Sequence, residues 1–202
     1  LAEPIVVDRL GRGGQPPTGY VSPTLSASPT VGAAWSKAGY LEPETSSATM
    51  QRTSTLLQRL YYGYDAANMY LRVELAPSSH VQNIALYLRT PRVRANRAAP
   101  LLPATSQLGD GGWTHELTVN VPARTAALQR ADGYEGWSTV RDIDLVCDGQ
   151  VCEMRLSLAD LRLAVGDTVA LVIALGRNGI VEERHPRSNE LEFRLLAYSV
   201  QE

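Results

Sequence analysis

The stretch LYYGYDAANMYLRVEL, residues 60–75, decides the fold class of this chain. In its second half, apolar residues alternate with polar or aromatic ones. The apolar set is Met69, Leu71, Val73 and Leu75. Successive side chains of a β-strand point to opposite faces of the sheet, so this alternation predicts a strand with one buried face. Turn-forming residues around Asp65 separate it from an earlier strand that ends at Tyr64. The stretch therefore predicts two β-strands that meet at Asp65.

Short apolar runs of the same kind recur along the chain, with turn signals between them and no long segment of helical period. The runs cover residues 56–64, 69–75, 82–89, 115–121, 138–146, 151–158, 168–175 and 190–198. Eight strands with this spacing predict an all-β fold, an antiparallel two-sheet β-sandwich of the jelly-roll or immunoglobulin-like type. The run at 168–175 is apolar on both faces, so we expect it to be a central strand.

Two segments differ from this pattern. Residues 1–30 hold five of the twelve prolines, which predicts an extended lead-in, followed by a single β-sandwich domain over residues 31–202. Residues 158–164 follow Ser157, a helix-capping residue, and precede Gly166. This second segment predicts one short helical turn that connects two strands.

Composition argues against several classes of partner. The net charge is −2 and the pI is about 6.0, so the chain has no general attraction for nucleic acid or an anionic membrane. Residues 90–100 carry Arg92, Arg94 and Arg97, and a solvated loop is the simpler interpretation of this basic patch. No apolar stretch has the length of a membrane span, and the amino end lacks the pattern of a signal peptide. We expect no nucleic acid or membrane partner and a cytoplasmic location.

Residues with catalytic or metal-binding chemistry form no recognisable motif. His80, His115 and His185 lie in separate segments without metal-ligand spacing, and there is no Gly-x-Ser-x-Gly elbow. We therefore expect a chain without a catalytic constellation and without a cofactor. Weak candidates for calcium ligands are the carboxylates of Asp110, Asp142 and Asp144. Polar positions on a strand and in a turn are the simpler interpretation of all three.

The two cysteines lie in the segment LVCDGQVCEM, residues 145–154. A hairpin in this segment can form in two registers. A turn at Asp148-Gly149 makes Cys147 and Cys152 diagonal neighbours, whereas a turn at Gly149-Gln150 or a wider loop puts them directly opposite each other. The apolar pattern fits both registers. A disulfide therefore stays open beside two free thiols in a reducing compartment.

Tyrosine and tryptophan together outnumber phenylalanine by twelve to one. Such rings carry a polar handle and often lie half exposed. If the strands at 69–75 and 82–89 form a simple hairpin, two tyrosines face each other on its outward side, flanked by arginines. These four residues are Tyr70, Arg72, Tyr87 and Arg89. Rings edged by hydrogen-bond donors suit a sugar, and an ordinary cross-strand aromatic pair is the alternative. A second candidate cluster consists of Trp113, Tyr134 and Trp137.

Three longer segments resemble a known family. They are GYVSPTLSASPTVGAAWSKAGY at 19–40, YYGYDAANMYLRVEL at 61–75 and SLADLRLAVGDTVALVIALGRNGIVEERHPRSNELEFRL at 157–195. In this order they resemble the β-sandwich module that follows the catalytic barrel in glycoside hydrolase family 57 enzymes of the amylase and amylopullulanase kind. That module is related to family 9 carbohydrate-binding and glucodextranase-like modules. The matched elements are Ser22-Pro23, Trp35, Ala38-Gly39, Met50, Tyr62-Gly63-Tyr64-Asp65, Leu71-Arg72 and Glu192-Phe193.

Two positions depart from the family pattern. Ser26-Ala27 stands where the family has Asp-Gly, and residues 46–51 stand where it has Gly-Gly-x-Met-His. The missing Asp and His weaken the inference of a ligand or metal site at those positions. The resemblance also implies that the catalytic carboxylates belong to the preceding barrel, an upstream catalytic domain of the same polypeptide.

We therefore expect a non-catalytic accessory domain of an α-glucan-processing glycoside hydrolase, which contacts polysaccharide or packs on the catalytic barrel. One alternative is an independent carbohydrate-binding module that takes α-glucan or an oligosaccharide. Another is a purely structural inter-domain module. Haem binding is a third, but Met50, Met69 and Met154 form no convincing axial pair with the histidines.

Overall fold

Strands dominate the computed structural model, which describes residues 14–43, 55–77, 79–95, 112–133, 136–187 and 190–198. In chain order they are β1 (Gly14–Gln15), β2 (Gly39–Leu41), β3 (Leu57–Tyr64), β4 (Asn68–Leu75), β5 (Asn83–Arg89), β6 (His115–Asn120), β7 (Thr125–Asp132), β8 (Gly136–Asp142), β9 (Asp144–Asp148), β10 (Val151–Ser157), β11 (Thr168–Arg177), β12 (Ile180–His185) and β13 (Leu191–Arg194). All their pairings are antiparallel.

The strands form two sheets. Sheet A has the order β1-β2-β3-β4-β10-β9, and sheet B has the order β12-β11-β5-β6-β7-β8, with β13 also paired to β11. One large apolar cluster contains inward-facing residues of both sheets, among them Leu71, Leu86 and Phe193. Two sheets that share one core in this way make a β-sandwich, so the predicted fold class is confirmed.

The alternation that decided the fold class is present in β4. Its apolar set, Met69, Leu71, Val73 and Leu75, is buried in the shared core. The strand at 168–175 is central as predicted, because β11 pairs with β5 on one side and with β12 and β13 on the other. Residues 169–176 of β11 are buried. In these two strands the apolar pattern correctly predicted residues of the core.

The predicted hairpin between β4 and β5 is wrong. β4 lies in sheet A, between β3 and β10, whereas β5 lies in sheet B, between β6 and β11. The segment after Leu75 crosses from one sheet to the other. Tyr70 consequently pairs with Gly63 and Arg155, and it lies in a different sheet from Tyr87.

A second difference concerns the run at 138–146, which is two strands instead of one. The chain leaves sheet B at the end of β8, passes through the buried Ile143, and enters sheet A as β9. β7 and β12 are strands that the apolar pattern did not reveal. Their sequences, TAALQRAD and IVEERH, have few large apolar residues.

The helical turn predicted near 158–164 is present as consecutive hydrogen-bonded turns. Leu161 N donates to Ser157 O at 3.2 Å, and Arg162 N donates to Ala159 O at 3.1 Å. The Ser157 hydroxyl accepts from Ala159 N at 3.2 Å, as expected of a capping residue. Within the described chain, a short 3-10 helix is also found at Ala33–Trp35.

Part of the predicted lead-in packs on the sandwich. β1 pairs with β2 at the edge of sheet A. Residues 21–28, here called the strap, cross the outer face of this sheet, with Val21 and Ala27 buried. Val21 N donates to Tyr64 O at 3.0 Å, which anchors the beginning of the strap to β3. The boundary predicted at residue 30 therefore does not coincide with the point where packing begins.

The hairpin of β9 and β10 has the second of the two registers. Cys147 lies directly opposite Cys152, and their sulfurs form a disulfide. Asp148 pairs with Val151, so the turn consists of Gly149 and Gln150. Gly149 has a φ of +55°, a left-handed conformation that glycine adopts without strain.

Candidate functional site

The centre of the outer face of sheet A carries a buried ion pair. Arg72 of β4 and Glu153 of β10 are cross-strand neighbours, and each is 1% exposed. The Arg72 guanidinium donates to Glu153 Oε1 at 2.6 Å and to Glu74 Oε1 at 2.7 Å. This geometry satisfies the charges within the face itself, because each buried charge has an oppositely charged partner.

The strap completes this network with its backbone. Ser26 N and Ala27 N donate to Glu153 Oε2 at 2.8 and 3.3 Å, and Arg72 Nη2 donates to Ser28 O at 2.7 Å. The ion pair thus binds three backbone groups of the strap and has no free face toward solvent. Its arrangement indicates a clamp that holds the strap on the sheet.

Tyr70 lies beside this clamp and has a similar role. Its hydroxyl donates to Asp65 Oδ2 at 2.7 Å, and Ser22 of the strap donates to the same oxygen at 3.1 Å. Asp65 Oδ1 also accepts from Ala67 N and Asn68 N at 2.8 and 2.7 Å. Burial alone would raise the pKa of Asp65, but these hydrogen bonds outweigh it and the pKa is lowered.

Tyr70 and Arg72 therefore do not form the exposed platform that the sequence predicted. Both point away from the sandwich core, as the alternation required, but the strap covers them and Tyr70 is only 3% exposed. Side-chain parity fixes the face of a sheet, and it says nothing about what packs on that face. The signal for the cover was Ser22 and its neighbours, which sequence reasoning placed in a lead-in.

The other predicted residues lie on the outer face of sheet B. Tyr87 is fully buried there and donates to Glu116 Oε1 at 3.0 Å. Its ring centroid lies 5.8 Å from that of Trp113, and the Arg89 guanidinium lies 5.6 Å from the Trp113 ring. Trp137 packs partly buried against the same cluster. The structure thus brings these four predicted residues together, with Tyr87 and Trp113 closed to solvent.

Burial also perturbs the carboxyl group of this cluster. The pKa of Glu116 is raised, because desolvation disfavours the charged form more than the Tyr87 hydroxyl stabilises it. Arg89 forms an ion pair with Glu190 and donates to Gly112 O at 3.3 Å. The Glu116 carboxyl and the Arg89 guanidinium therefore both have partners within the fold. Tyr134 and Asp110 lie outside the described residues.

An aromatic surface with one partly exposed ring, Tyr40, and one buried ring, Tyr61, lies on sheet A beside the strap. Tyr40 of β2 pairs with Tyr61 of β3, and their ring centroids are 6.3 Å apart. The Arg59 guanidinium lies 5.1 Å from the Tyr40 ring and 5.5 Å from the Tyr61 ring. Arg59 also donates to the Tyr61 hydroxyl at 2.8 Å and forms an ion pair with Glu42. We call Gln15, Tyr40, Glu42, Arg59 and Tyr61 the aromatic patch.

The aromatic patch is accessible to a ligand. The Arg59 and Glu42 side chains are 37% and 49% exposed, and Tyr40 is partly exposed. Trp35 packs behind Tyr61 at a ring distance of 6.3 Å, which supports the patch from the strap side. The pKa of Arg59 is raised, chiefly by its hydrogen bond to Tyr61; burial opposes this effect, and Glu42 adds a smaller increase. The patch combines aromatic ring surface with a guanidinium donor and a carboxylate acceptor.

Sequence reasoning missed this patch because β2 has three residues and no visible alternation. The available signal was the pair of outward positions Arg59 and Tyr61 in β3, which follow from the inward positions Leu60 and Tyr62. Tyr40 of β2 lies beside them only because of the register between β2 and β3, two segments that are distant in sequence. That register is a property of the folded sheet.

Two of the weak calcium candidates line one polar pocket. Asn68, Arg141, Asp142, Ile143, Asp144, Arg155 and Ser157 surround a cavity of about 150 Å³, here called the corner pocket. Arg155 donates to Asp144 Oδ2 at 2.5 Å. Two guanidinium groups therefore oppose the two carboxylates, which disfavours a divalent cation. The described part of the chain contains no group of three or more His, Cys, Asp and Glu side chains suited to a metal ion.

His115 and His185 have structural contacts. His185 Nε2 lies 2.5 Å from Glu183 Oε1, and Glu183 also accepts from Leu56 N and Leu57 N, which ties sheet B to the start of β3. His115 is fully buried, and this burial, with the charge of Arg130, lowers its pKa to about 4. A neutral, enclosed imidazole of this kind fits a packing position.

No protein-family model matches the chain, and no curated protein matches it. Among the helices of the described ranges, none has the length and apolar character needed to cross a membrane.

Proposed function

We propose that this chain is a non-catalytic accessory module of an α-glucan-processing glycoside hydrolase, and that it contacts polysaccharide through the aromatic patch. The observation that carries the proposal is the partly exposed Tyr40 ring beside the Arg59 and Glu42 pair. A sugar ring stacks its C–H groups on an aromatic face, while a guanidinium and a carboxylate bind its hydroxyls. The resemblance to the family 57 accessory module and the β-sandwich fold support the same class of function.

The exposed ion pair of Arg59 and Glu42 can open at low cost to bind a ligand. An exposed ion pair contributes only about 0 to 1 kcal/mol to stability, so Arg59 and Glu42 can turn toward a ligand at low cost. The buried pair of Arg72 and Glu153 has no such freedom, because separating it leaves uncompensated charge. The accessible pair is therefore the better candidate for hydroxyl recognition.

Affinity electrophoresis in soluble starch tests the proposal. We expect the wild-type chain to be retarded and the Tyr40→Ala variant to lose about tenfold or more in affinity, as for a central contact residue. Arg59→Ala should weaken retardation, whereas Arg177→Ala should not. Arg177 is a matched control because it forms an exposed ion pair with Glu182 away from the patch. A wild-type chain that migrates freely in starch would contradict polysaccharide contact.

Packing on an upstream catalytic barrel is the second candidate function. Two exposed apolar residues favour it, Val165 at 56% and Leu196 at 47% exposure. They lie on adjacent segments, because Gly166 N donates to Leu195 O at 2.7 Å. In the full-length enzyme, Val165→Ser combined with Leu196→Ser should lower thermal stability and leave starch retardation unchanged. An unchanged melting temperature would argue against this interface.

The cytoplasmic location stays a prediction. The Cys147–Cys152 disulfide weighs against it, because disulfides persist mainly in oxidising compartments. Thiol labelling of the protein isolated from its native source would decide between the two.

A further inference from the structure

The corner pocket lies on the same outer face of sheet A as the aromatic patch, on the other side of the strap. Asn68 and Ser157 are cross-strand partners of β4 and β10, and Arg155 pairs with Asp144 of β9. Arg141, Asp142 and Ile143 close the pocket where the chain passes from sheet B to sheet A. With neighbouring strands about 4.8 Å apart, β2 and β10 are roughly 14 Å apart, so the two surfaces are distinct.

The charges in the corner pocket cancel. Two guanidinium groups, Arg141 and Arg155, and two carboxylates, Asp142 and Asp144, line the pocket, so neither sign of charge is in excess among its lining residues. An anion would meet the carboxylates, and a cation would meet the guanidinium groups. The pocket therefore favours an uncharged ligand that can both donate and accept hydrogen bonds.

The polar groups in the pocket remain available to such a ligand. The side chains of Arg141, Arg155 and Asp144 are 59%, 49% and 61% exposed, so their ion pairs are weak and can open. The Ser157 oxygen accepts from Ala159 N, which leaves its O–H free to donate. Guanidinium and carboxylate groups can each bind two adjacent hydroxyls. This is a hydrogen-bonding set for vicinal diols.

The pocket volume limits the size of the ligand. At about 150 Å³ it is smaller than the clefts of roughly 300 to 1,000 Å³ that take drug-sized molecules. The strand-to-strand crossing at Ile143 bounds it on one side. We propose that the corner pocket binds one ring of a neutral polyhydroxylated ligand, a free hexose or the terminal hexose of an oligosaccharide.

Amide chemical-shift titrations test this proposal with D-glucose, maltotriose and calcium chloride as separate probes. Sugar at millimolar concentration should shift the amides of Asn68, Ile143 and Ser157. Asp142→Ala should weaken this response about tenfold or more, because it removes a charged hydrogen-bond acceptor. Asp148→Ala is the matched control, an exposed carboxylate on the same edge of the sheet outside the pocket. Ser157→Ala gives a second, smaller loss.

The three probes distinguish the possible ligands, and the Tyr40→Ala variant separates this pocket from the aromatic patch. A response to glucose indicates a free hexose, and a response to maltotriose alone indicates a chain end. Tyr40→Ala should leave the response intact, so a failure of the aromatic patch is visible separately. The proposal is overturned if neither sugar shifts these amides, if the shifts persist unchanged in Asp142→Ala, or if calcium shifts them in place of the sugars.

Discussion

Two regions of the outer face of sheet A contain the same residue types but differ in their exposure to solvent. At the centre, Tyr70, Arg72 and Glu153 are buried and bind the strap. Near the edge, Tyr40, Arg59 and Glu42 have similar chemistry and partial access to solvent, while Tyr61 beneath them is buried. The difference is the strap, which covers the first group and leaves Tyr40, Arg59 and Glu42 of the second partly exposed. Coverage, and not residue type, separates the structural group from the proposed binding surface.

The largest expected effect concerns the buried ion pair. Arg72→Met leaves the Glu153 carboxylate buried without its guanidinium, which should cost about 3 to 5 kcal/mol of stability. Arg59→Met is the matched change in the accessible group and should cost at most about 1 kcal/mol. Urea unfolding of both variants measures the difference. Equal losses would mean that the two pairs do not differ in coverage.

A smaller effect is expected where the strap touches β3. A Cβ added at Gly63 would lie 2.3 Å from Cγ2 of Val21, so Gly63→Ala must displace the strap. We expect a loss of about 1 to 3 kcal/mol, as for other overpacked sites. Gly32→Ala is the control in the same amino-terminal segment, because a Cβ there meets nothing within 4 Å.

The control for mechanism is the double variant Gly63→Ala with Val21→Ala. It removes the clashing methyl groups, so it should recover part of the stability lost in Gly63→Ala. If the urea midpoint of Gly63→Ala equals that of the wild type, the strap does not pack against β3 as described.

The smallest stability effect depends on pH. The lowered pKa of Asp65 means that its contribution is complete above the unfolded value of about 3.9 and is lost as the pH falls through the folded pKa. Wild-type stability should therefore decline below about pH 4, and Asp65→Asn should decline less steeply. Urea midpoints at successive pH values measure the slopes, with Asp148→Asn as an exposed control. Parallel slopes for wild type and Asp65→Asn would exclude this contribution.

The sequence alone predicts the core of this sandwich and only part of its surface. The alternation of Met69, Leu71 and Val73 is local information, and so is the two-sided apolar run of β11. Whether β5 continues the sheet of β4 or crosses to the other is decided by long-range pairing that the apolar pattern cannot express. The apolar pattern of the β9–β10 hairpin likewise fits two registers, and the structure has the one that joins Cys147 to Cys152.

The candidate sites illustrate the same limit. Tyr70 and Arg72 were placed on the correct side of the sheet, but the strap that buries them comes from residues 21–28, more than 40 positions earlier in the chain. Tyr40 joins Tyr61 only through the pairing of β2 with β3. A surface of this kind becomes visible once register and coverage are both known.

Hydroxyl-radical footprinting read by mass spectrometry tests the central claim most directly. In the free chain, Tyr40 should be modified and Tyr70 should not, because only Tyr40 has partial access to solvent. Adding maltoheptaose should reduce modification of Tyr40 severalfold and leave Tyr70 unchanged. Modification of Tyr40 that does not respond to the oligosaccharide, or protection that appears only elsewhere, would contradict polysaccharide contact at the aromatic patch.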